Sequence, residues 1–139
     1  MTLIVVDQAE EHFLDLILGV NYTLRLYQND VTAGLTQVQK DALTEADFTE
    51  ADFTGYSAAA LTGGSWTTTA GNPCVGTYAM QTFTASADQT PQDVYGYYVT
   101  RTSGGALEWF EDFGAPVTFE FNGEYLKVTP RLTLSDTGD

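Results

Sequence analysis

Carboxylates that lie beside aromatic rings are the residues of this chain whose types could do chemistry. Glu108, Glu111 and Asp112 flank Trp109 and Phe110. Paired carboxylates can supply the acid and the base of glycoside hydrolysis, and aromatic rings can stack on sugars. With 19 Asp and Glu in the chain, such neighbours also arise by chance. We therefore expect a strand with two core aromatic residues and a solvated acidic face, and we assign no catalytic residue.

A second acidic group comes from a repeat, because Thr-Glu-Ala-Asp-Phe occurs twice in residues 44–53. The spacing of its carboxylates does not match the calcium loop of an EF-hand. A period of five fits neither a helix nor a strand, so the repeat cannot form one uniform buried face. We expect a connecting arm pinned by Phe48 and Phe53, with Tyr56 and Trp109 as further structural anchors. On this view Phe53→Ala destabilises the fold and Glu50→Ala is nearly silent.

The chain has one histidine and one cysteine, His12 and Cys74. A nucleophile–histidine pair would have to use His12, and no Gly-x-Ser-x-Gly turn supplies the nucleophile. We expect His12 on the surface of a helix or at an interface. A lone cysteine cannot form an intrachain disulfide or a cysteine-based zinc site, so Cys74 is expected to be a buried small apolar residue. The sequence predicts a non-enzyme that has no cofactor and no metal.

Charge excludes two classes of partner. The net charge is −14, and the five Lys and Arg residues are scattered. Nucleic acids and anionic membranes require clustered basic side chains, so neither is an expected partner. The apolar run of residues 3–6 is too short for a signal peptide or a membrane span. We expect a protein that is made and kept in a reducing cytoplasm, or that leaves the cell by a route that needs no signal.

Residues 7–18 have the pattern of one short amphipathic helix. Asp7 is the expected N-cap, paired with Glu10 as in a capping box, and Gly19 is placed to end the helix. So short a helix is not stable alone in water, so it packs on its own sheet or on a neighbouring subunit. The apolar face comprises Ala9, Phe13, Leu16, Ile17 and Val20, and the last four are the candidate interface with another subunit or another protein.

The rest of the chain reads as short strands separated by turns. A helical turn is expected in residues 36–43, and Gly96 is expected to mark a bulge or a close backbone approach. Ser103-Gly104-Gly105 and Asn122-Gly123 are hairpin turn signals. The expected strands are 22–27, 56–61, 66–69, 77–84, 94–102, 106–113, 116–121 and 125–134, the last interrupted at Pro130.

This count of strands predicts a mainly β fold, an antiparallel β-sandwich or barrel-like domain with one short N-terminal α-helix. A length of 139 residues fits a single domain. We expect one domain over residues 1–139, in which residues 1–20 are the helical segment and residues 21–135 are the β body.

Two stretches resemble a family of small virion proteins of tailed bacteriophages. Residues 26–32 (Leu-Tyr-Gln-Asn-Asp-Val-Thr) are similar to a strand end of that family, and residues 46–56 (Ala-Asp-Phe-Thr-Glu-Ala-Asp-Phe-Thr-Gly-Tyr) are similar to the stretch that follows it. Residues 81–84, 94–100 and 126–135 also match, so the resemblance covers most of the chain from about residue 24.

The resemblance implies a virion structural component. A capsid cement or decoration protein on the head surface comes first, with the major capsid protein as its partner. A homo-oligomer is expected from the symmetry of a capsid, and a trimer is favoured over a dimer. The alternative is a tail or head-fibre adhesion module that binds host-surface carbohydrate through Trp66, Trp109 and the tyrosine-rich strand.

Overall fold

The structure is a computed structural model and describes residues 1 and 3–135. Its strands are rich in β-branched and aromatic residues. The predicted fold class is confirmed: the chain is mainly β, with 39% strand and 14% helix, antiparallel sheets and a helix near the N-terminus, consistent with a β-sandwich-like fold. The elements are α1 (Asp7–Ile17), β1 (Tyr22–Tyr27), α2 (Gln37–Asp41), a 3₁₀ turn (Glu45–Asp47), β2 (Ala59–Leu61), β3 (Thr67–Thr69), β4 (Cys74–Thr77), β5 (Gln81–Thr84), β6 (Gln92–Arg101), β7 (Leu107–Phe119), β8 (Tyr125–Val128) and β9 (Arg131–Leu134).

The strands form three sheets in the described part of the chain. Four strands pair in the order β2-β1-β6-β7, three in the order β3-β4-β9, and two as β5-β8. The chain groups into two compact units. The first comprises the described residues of Met1–Asn21, Leu61–Gln81 and Val128–Asp139, and the second comprises Tyr22–Ala60 and Thr82–Lys127. The expectation of one domain over residues 1–139 stays an expectation.

In the first unit, α1 packs on β4 through one side of the helix. Leu14 and Leu18 are buried, and a Cβ on Gly76 would overlap the Leu18 side chain. Gly76 therefore permits the close approach of helix and strand. The predicted N-cap is wrong by one residue, because Val6 holds the N-cap position and makes no side-chain cap bond. Asp7 is the first helical residue, where its charge still suits the helix dipole.

In the second unit, β1 and β6 pair from Tyr22 opposite Arg101 to Tyr27 opposite Gly96. The predicted bounds of β1 are confirmed. Leu24 and Leu26 are fully buried on one face, as the strand period requires. Gly104 and Gly105 have positive φ in the turn between β6 and β7, where the Arg101 N–H donates to the Ala106 carbonyl at 2.9 Å.

The predictions for four strands are wrong at their boundaries. The two strands expected in residues 106–121 are one strand, β7, in which an irregularity of register and Gly114 at φ +77° accommodate Pro116. The strand expected in residues 77–84 is split, because β4 pairs with β9 whereas β5 pairs with β8. Residues 56–61 contribute only β2, because a turn at Gly55 precedes it, closed by the Tyr56 N–H donating to the Phe53 carbonyl at 2.9 Å.

The Asn122-Gly123 turn exists, but it does not close a hairpin. It connects β7 to β8, which belong to different sheets. The Glu124 carboxylate accepts from the N–H groups of Glu120 and Phe121 at 2.7 and 3.0 Å. These two bonds lower the pKa of Glu124, because they favour its charged form. The Glu124 carboxylate thus stabilises this turn in place of the cross-strand backbone hydrogen bonds of a β-hairpin.

Gly96 marks both a bulge and a close approach. The β6–β7 register shifts between Val94 and Gly96, and a Cβ on Gly96 would overlap the Glu111 carbonyl oxygen and the Tyr27 phenol. We predict that Gly96→Ala lowers the free energy of unfolding by about 3 kcal/mol, the upper part of the overpacking range. Urea unfolding measures this value.

Gly34→Ala is the control for that prediction, because its new Cβ would meet nothing within 4 Å although its φ is +71°. Backbone strain alone should cost about 1 kcal/mol there. Equal losses in the two variants would contradict the proposed overlap at Gly96.

Candidate functional site

The doubled repeat lies along the edge of β1. The Gln28 N–H donates to the Thr49 carbonyl at 2.8 Å, and the Ala51 N–H donates to the Leu26 carbonyl at 2.9 Å. Glu50 forms a β-bridge with Tyr27. An extended chain alternates its side chains, so residues five apart point to opposite sides. Because the repeat has an odd period, Phe48 and Phe53 point to opposite sides of the arm and pack in different groups of aromatic rings.

Each phenylalanine is buried in its own aromatic cluster. The Phe48 ring stacks on Tyr98 at 4.7 Å between centroids and meets Tyr27 edge-on at 5.0 Å. The Phe53 ring stacks on Phe119 at 4.1 Å. The structure thus places both rings, which were expected to be anchors, in the interior of the second unit.

Between these rings, Glu50 joins the arm to the sheet. Its Oε2 lies 2.8 Å from Arg25 Nη1, and its Oε1 accepts from the Tyr56 hydroxyl at 2.8 Å. The Tyr56 oxygen in turn accepts from the Leu26 N–H at 3.1 Å. Arg25 and Glu50 are each one-third exposed, so this pair is worth more than a fully solvated one. The expectation that Glu50→Ala is nearly silent has lost its basis.

The two aspartates of the repeat accept hydrogen bonds from the chain itself. Asp47 accepts from the Thr44 N–H at 2.8 Å, within the cap of the 3₁₀ turn. Asp52 accepts from Gln92 Nε2 at 2.6 Å. Across residues 1 and 3–135, no group of three or more His, Cys, Asp and Glu is placed to hold a metal ion. These hydrogen bonds hold the repeat, which is the connecting arm, against the rest of the chain.

The acidic and aromatic group of β7 is divided among separate partners. The Glu108 carboxylate forms an ion pair with Arg101 at 2.5 Å. Glu111 accepts from the Tyr97 hydroxyl at 2.7 Å, and Asp112 accepts from the Thr32 hydroxyl at 3.1 Å. Each carboxylate thus has a donor of its own, and the geometry singles out no acid–base pair.

The two aromatic residues of that group pack in different places. The Trp109 ring meets Tyr22 edge-on at 5.2 Å, whereas the Phe110 ring meets Phe48 at 5.3 Å. A register shift between Val99 and Thr100 interrupts the alternation nearby. Trp66, the other ring considered for sugar stacking, meets Tyr78 edge-on at 5.2 Å.

A groove of about 530 Å³ lies between α2 and β7, a volume within the range of small-ligand pockets. Leu43, Leu107 and Phe110 contribute apolar surface, and Lys40 and Glu108 contribute charge. Trp109 also borders the groove, but its ring contact is with Tyr22. The groove offers a mixed lining without a pair of stacking indoles.

The predicted apolar face of α1 is largely exposed, although the helix does pack on its own unit. Phe13 is 48% exposed, Leu16 61%, Ile17 40% and Val20 46%. The buried positions are Glu10, Leu14 and Leu18, on a neighbouring side of the helix. The preceding residues Leu3, Ile4 and Val6 are more than half exposed as well. We call this set, Leu3, Ile4, Val6, Phe13, Leu16, Ile17 and Val20, the α1 face.

His12 and Cys74 lie apart from any nucleophile–base arrangement. His12 is exposed on α1, with its ring 6.1 Å from that of Phe13. Cys74 is fully buried, and burial, with the carboxylates of Glu11, Glu10 and Asp15, raises its pKa. A thiol with a raised pKa is a poor nucleophile. No helix in the described residues has the length and apolar character needed to cross a bilayer.

Comparisons with protein-family models, with curated proteins and with solved structures find no match to this chain. The resemblance to phage virion proteins therefore stays an expectation. Function has to be inferred from the surfaces described above.

Sequence reasoning missed the Arg25–Glu50–Tyr56 connection. One signal was present, because Arg25 is one of three arginines and stands in the middle of a predicted strand, on the face opposite Leu24 and Leu26. A charged side chain that a sheet partly covers needs a partner. The sequence does not reveal which of the 19 acidic residues that partner is, because the choice depends on the path of the arm.

The repeat itself supplies a matched pair of variants, because Glu45 and Glu50 occupy the same place in its two copies. We predict that Glu50→Ala lowers the free energy of unfolding by about 1–3 kcal/mol, since the Tyr56 hydroxyl and Arg25 lose their partner. Glu45 is exposed in the 3₁₀ turn, so Glu45→Ala should change it by less than about 0.5 kcal/mol. Phe53→Ala should cost about 3–5 kcal/mol. Urea unfolding of the three variants checks these values, and equal effects of the two Glu variants would contradict the fastening role.

Alkaline pH should unfold the protein through Tyr27 and Tyr56. Burial raises the pKa of Tyr27, and burial together with the Glu50 hydrogen bond raises the pKa of Tyr56. Below about pH 10 both phenols are protonated in the folded and unfolded chains, so no stability is lost. Above about pH 10 only the unfolded chain releases these protons, so stability falls as pH rises. Urea midpoints measured from about pH 8 to about pH 11 should decrease, and part of the tyrosinate absorbance should appear only together with unfolding. Ionisation of all eight tyrosines in a fully folded protein would contradict this.

Proposed function

We propose that the chain is a non-enzymatic structural protein of a tailed-bacteriophage virion, a cement or decoration protein of the capsid. It would be synthesised in the host cytoplasm, bind the assembled lattice of the major capsid protein on the outside of the head, and stabilise that lattice. Copies of the chain would assemble with one another at symmetric positions of the shell.

The observation that carries this proposal is the exposed α1 face. A protein with a net charge of −14 has a surface suited to solubility, yet here a contiguous stretch of sequence leaves seven apolar side chains 40–89% exposed. An apolar patch of this kind is typical of a surface that meets another protein. The acidic remainder of the surface would complement basic patches on a shell and steer the approach more than hold the complex.

The state of the carboxylates supports a structural role. Glu50, Asp52, Glu108 and Glu111 each accept a hydrogen bond from the chain's own side chains. These hydrogen bonds hold the arm in place and connect the long strands β6 and β7. A protein that binds only an assembled lattice stabilises it by mass action, which requires shape and surface and no chemical step.

The alternative function, an adhesion module for host-surface carbohydrate, has less support. It relies on tryptophan rings as stacking platforms, and both Trp66 and Trp109 meet a tyrosine ring edge-on within the chain. The groove beside α2 is the place where such a ligand would be sought, with Trp109→Ala as the variant that should abolish glycan binding.

Co-sedimentation with empty heads tests the proposed function. The purified chain should pellet with empty heads of the phage whose genome encodes it. Binding should saturate at a fixed ratio of chain to major capsid protein. Purified tails and unassembled major capsid subunits are the two controls, and neither should retain the chain. Stabilisation should appear as a higher temperature of head disruption when the chain is bound.

Two results would overturn the proposal. One is a chain that stays in the supernatant with heads at every concentration. The other is a chain that pellets with tails and binds a glycan array in a manner lost in Trp109→Ala, which would select the adhesion alternative.

A further inference from the structure

The apolar residues along α1 have the spacing of a helix–helix contact. Val6, Ala9, Phe13, Leu16 and Val20 are separated by three, four, three and four residues. Ala9, Phe13 and Leu16 lie within α1, Val6 is its extended N-cap residue, and Val20 follows the end of the helix. Apolar residues at this spacing form a single seam that packs against another helix. The seam is distinct from the side of α1 that the protein's own fold uses, where Leu14 and Leu18 are buried.

Three of the four acidic residues of α1 follow a different row, and the fourth, Glu10, is buried within the chain's own fold. Asp7, Glu11 and Asp15 are four residues apart, and Asp15 accepts from the Thr68 hydroxyl of β3 at 2.8 Å. This hydrogen bond shows that the row of Asp7, Glu11 and Asp15 lies on the side of α1 near the sheet of the first unit. The seam therefore carries no carboxylate, and a partner with the same net charge of −14 could approach it without placing like charges in contact.

Part of the apolar surface of α1 is symmetric about Phe13. Within the helix, Ala9 and Ile17 lie four residues to either side of it. If two such helices meet antiparallel, Phe13 meets its own copy and Ala9 meets Ile17, while Val6 and Val20 lie just outside the two ends of the helix. A two-fold contact requires this self-complementarity, because the same patch supplies both sides.

The exposed area is close to that of a standard contact. The seven side chains of the α1 face are 40–89% exposed, which corresponds to on the order of 700 Å² of surface, against ~800 Å² per partner in a standard protein interface. This sum includes Leu3 and Ile4, which precede the helix, so the contact would extend beyond the seam.

We propose that the α1 face is a self-association surface, on which two copies of this chain pair through antiparallel α1 helices. The pairing deepens the proposed function by naming the partner of this face, and it rests on that function only in the expectation of like copies assembling. It favours a two-fold pair over the trimer that capsid symmetry led us to expect.

Sedimentation equilibrium of the full chain tests the pairing. At about 0.15 M salt the mass should move with concentration from 15.1 kDa toward twice that value. At about 1 M salt the dissociation constant should fall, because screening weakens the repulsion between two acidic copies. The Phe13→Gln/Leu16→Gln variant should raise the dissociation constant at least about tenfold, which corresponds to a loss of about 1.4 kcal/mol.

A matched control separates the seam from a general loss of apolar surface. Phe121 is 55% exposed and Val38 79% exposed, and both lie outside the α1 face. The Phe121→Gln/Val38→Gln variant removes a similar amount of exposed apolar surface and should keep the dimer. Both variants change exposed side chains, so circular dichroism and urea midpoints should match those of the parent chain at protein concentrations low enough to keep the parent monomeric.

Several outcomes would overturn the pairing. These are a monomer at every concentration and salt, a trimer, a mass that grows without limit, or a dimer that the seam variant leaves intact. A monomer whose binding to empty heads is lost in the seam variant would assign the face to the shell instead. In that case the proposed function would stand and the pairing would fail.

Discussion

The contact between Glu50 and two partners, Arg25 and Tyr56, joins the repeat to β1 in the second unit. The Arg25 side chain lies on the face of β1 opposite the buried Leu24 and Leu26 and is only one-third exposed. A largely covered charge without a partner would be costly. The Glu50 carboxylate meets it at 2.8 Å and also accepts from Tyr56. Backbone bonds on either side of Glu50 then bring the arm along the edge of β1, and a covered edge is protected from pairing with other chains.

The same arrangement determines which surfaces remain for partners. Where the arm covers the second unit, acidic side chains are engaged with donors of the chain, and Phe48 and Phe53 are buried. In the first unit, α1 packs through Leu14 and Leu18 and leaves a charge-free apolar row outside. A strongly acidic protein with one apolar row is suited to specific assembly, because its charge opposes non-specific contact while the row supplies the attraction. This is the physical basis for proposing a structural protein of a shell.

Local patterns in the sequence predicted the elements whose causes are local. Alternation in residues 22–27 predicted β1, and Thr36 followed by Gln39 forms the capping box that begins α2. Non-local causes were beyond reach. The split of residues 77–84 into β4 and β5 depends on the partners β9 and β8, which no local pattern names. For α1, periodicity predicted the apolar face. The packing of Leu14 and Leu18 on β4 depends instead on Gly76, which lies almost sixty residues away in the sequence. The role of Glu50 was missed for the same reason.

The proposal that this chain covers the outside of a phage head is tested most directly by an electron cryomicroscopy map of the intact particle. The proposal predicts density for a mainly β protein of 139 residues at lattice positions on the outer surface of the shell, in contact with the major capsid protein. Density for the chain at the tail or at fibre tips, or a particle that lacks it altogether, would contradict the proposal.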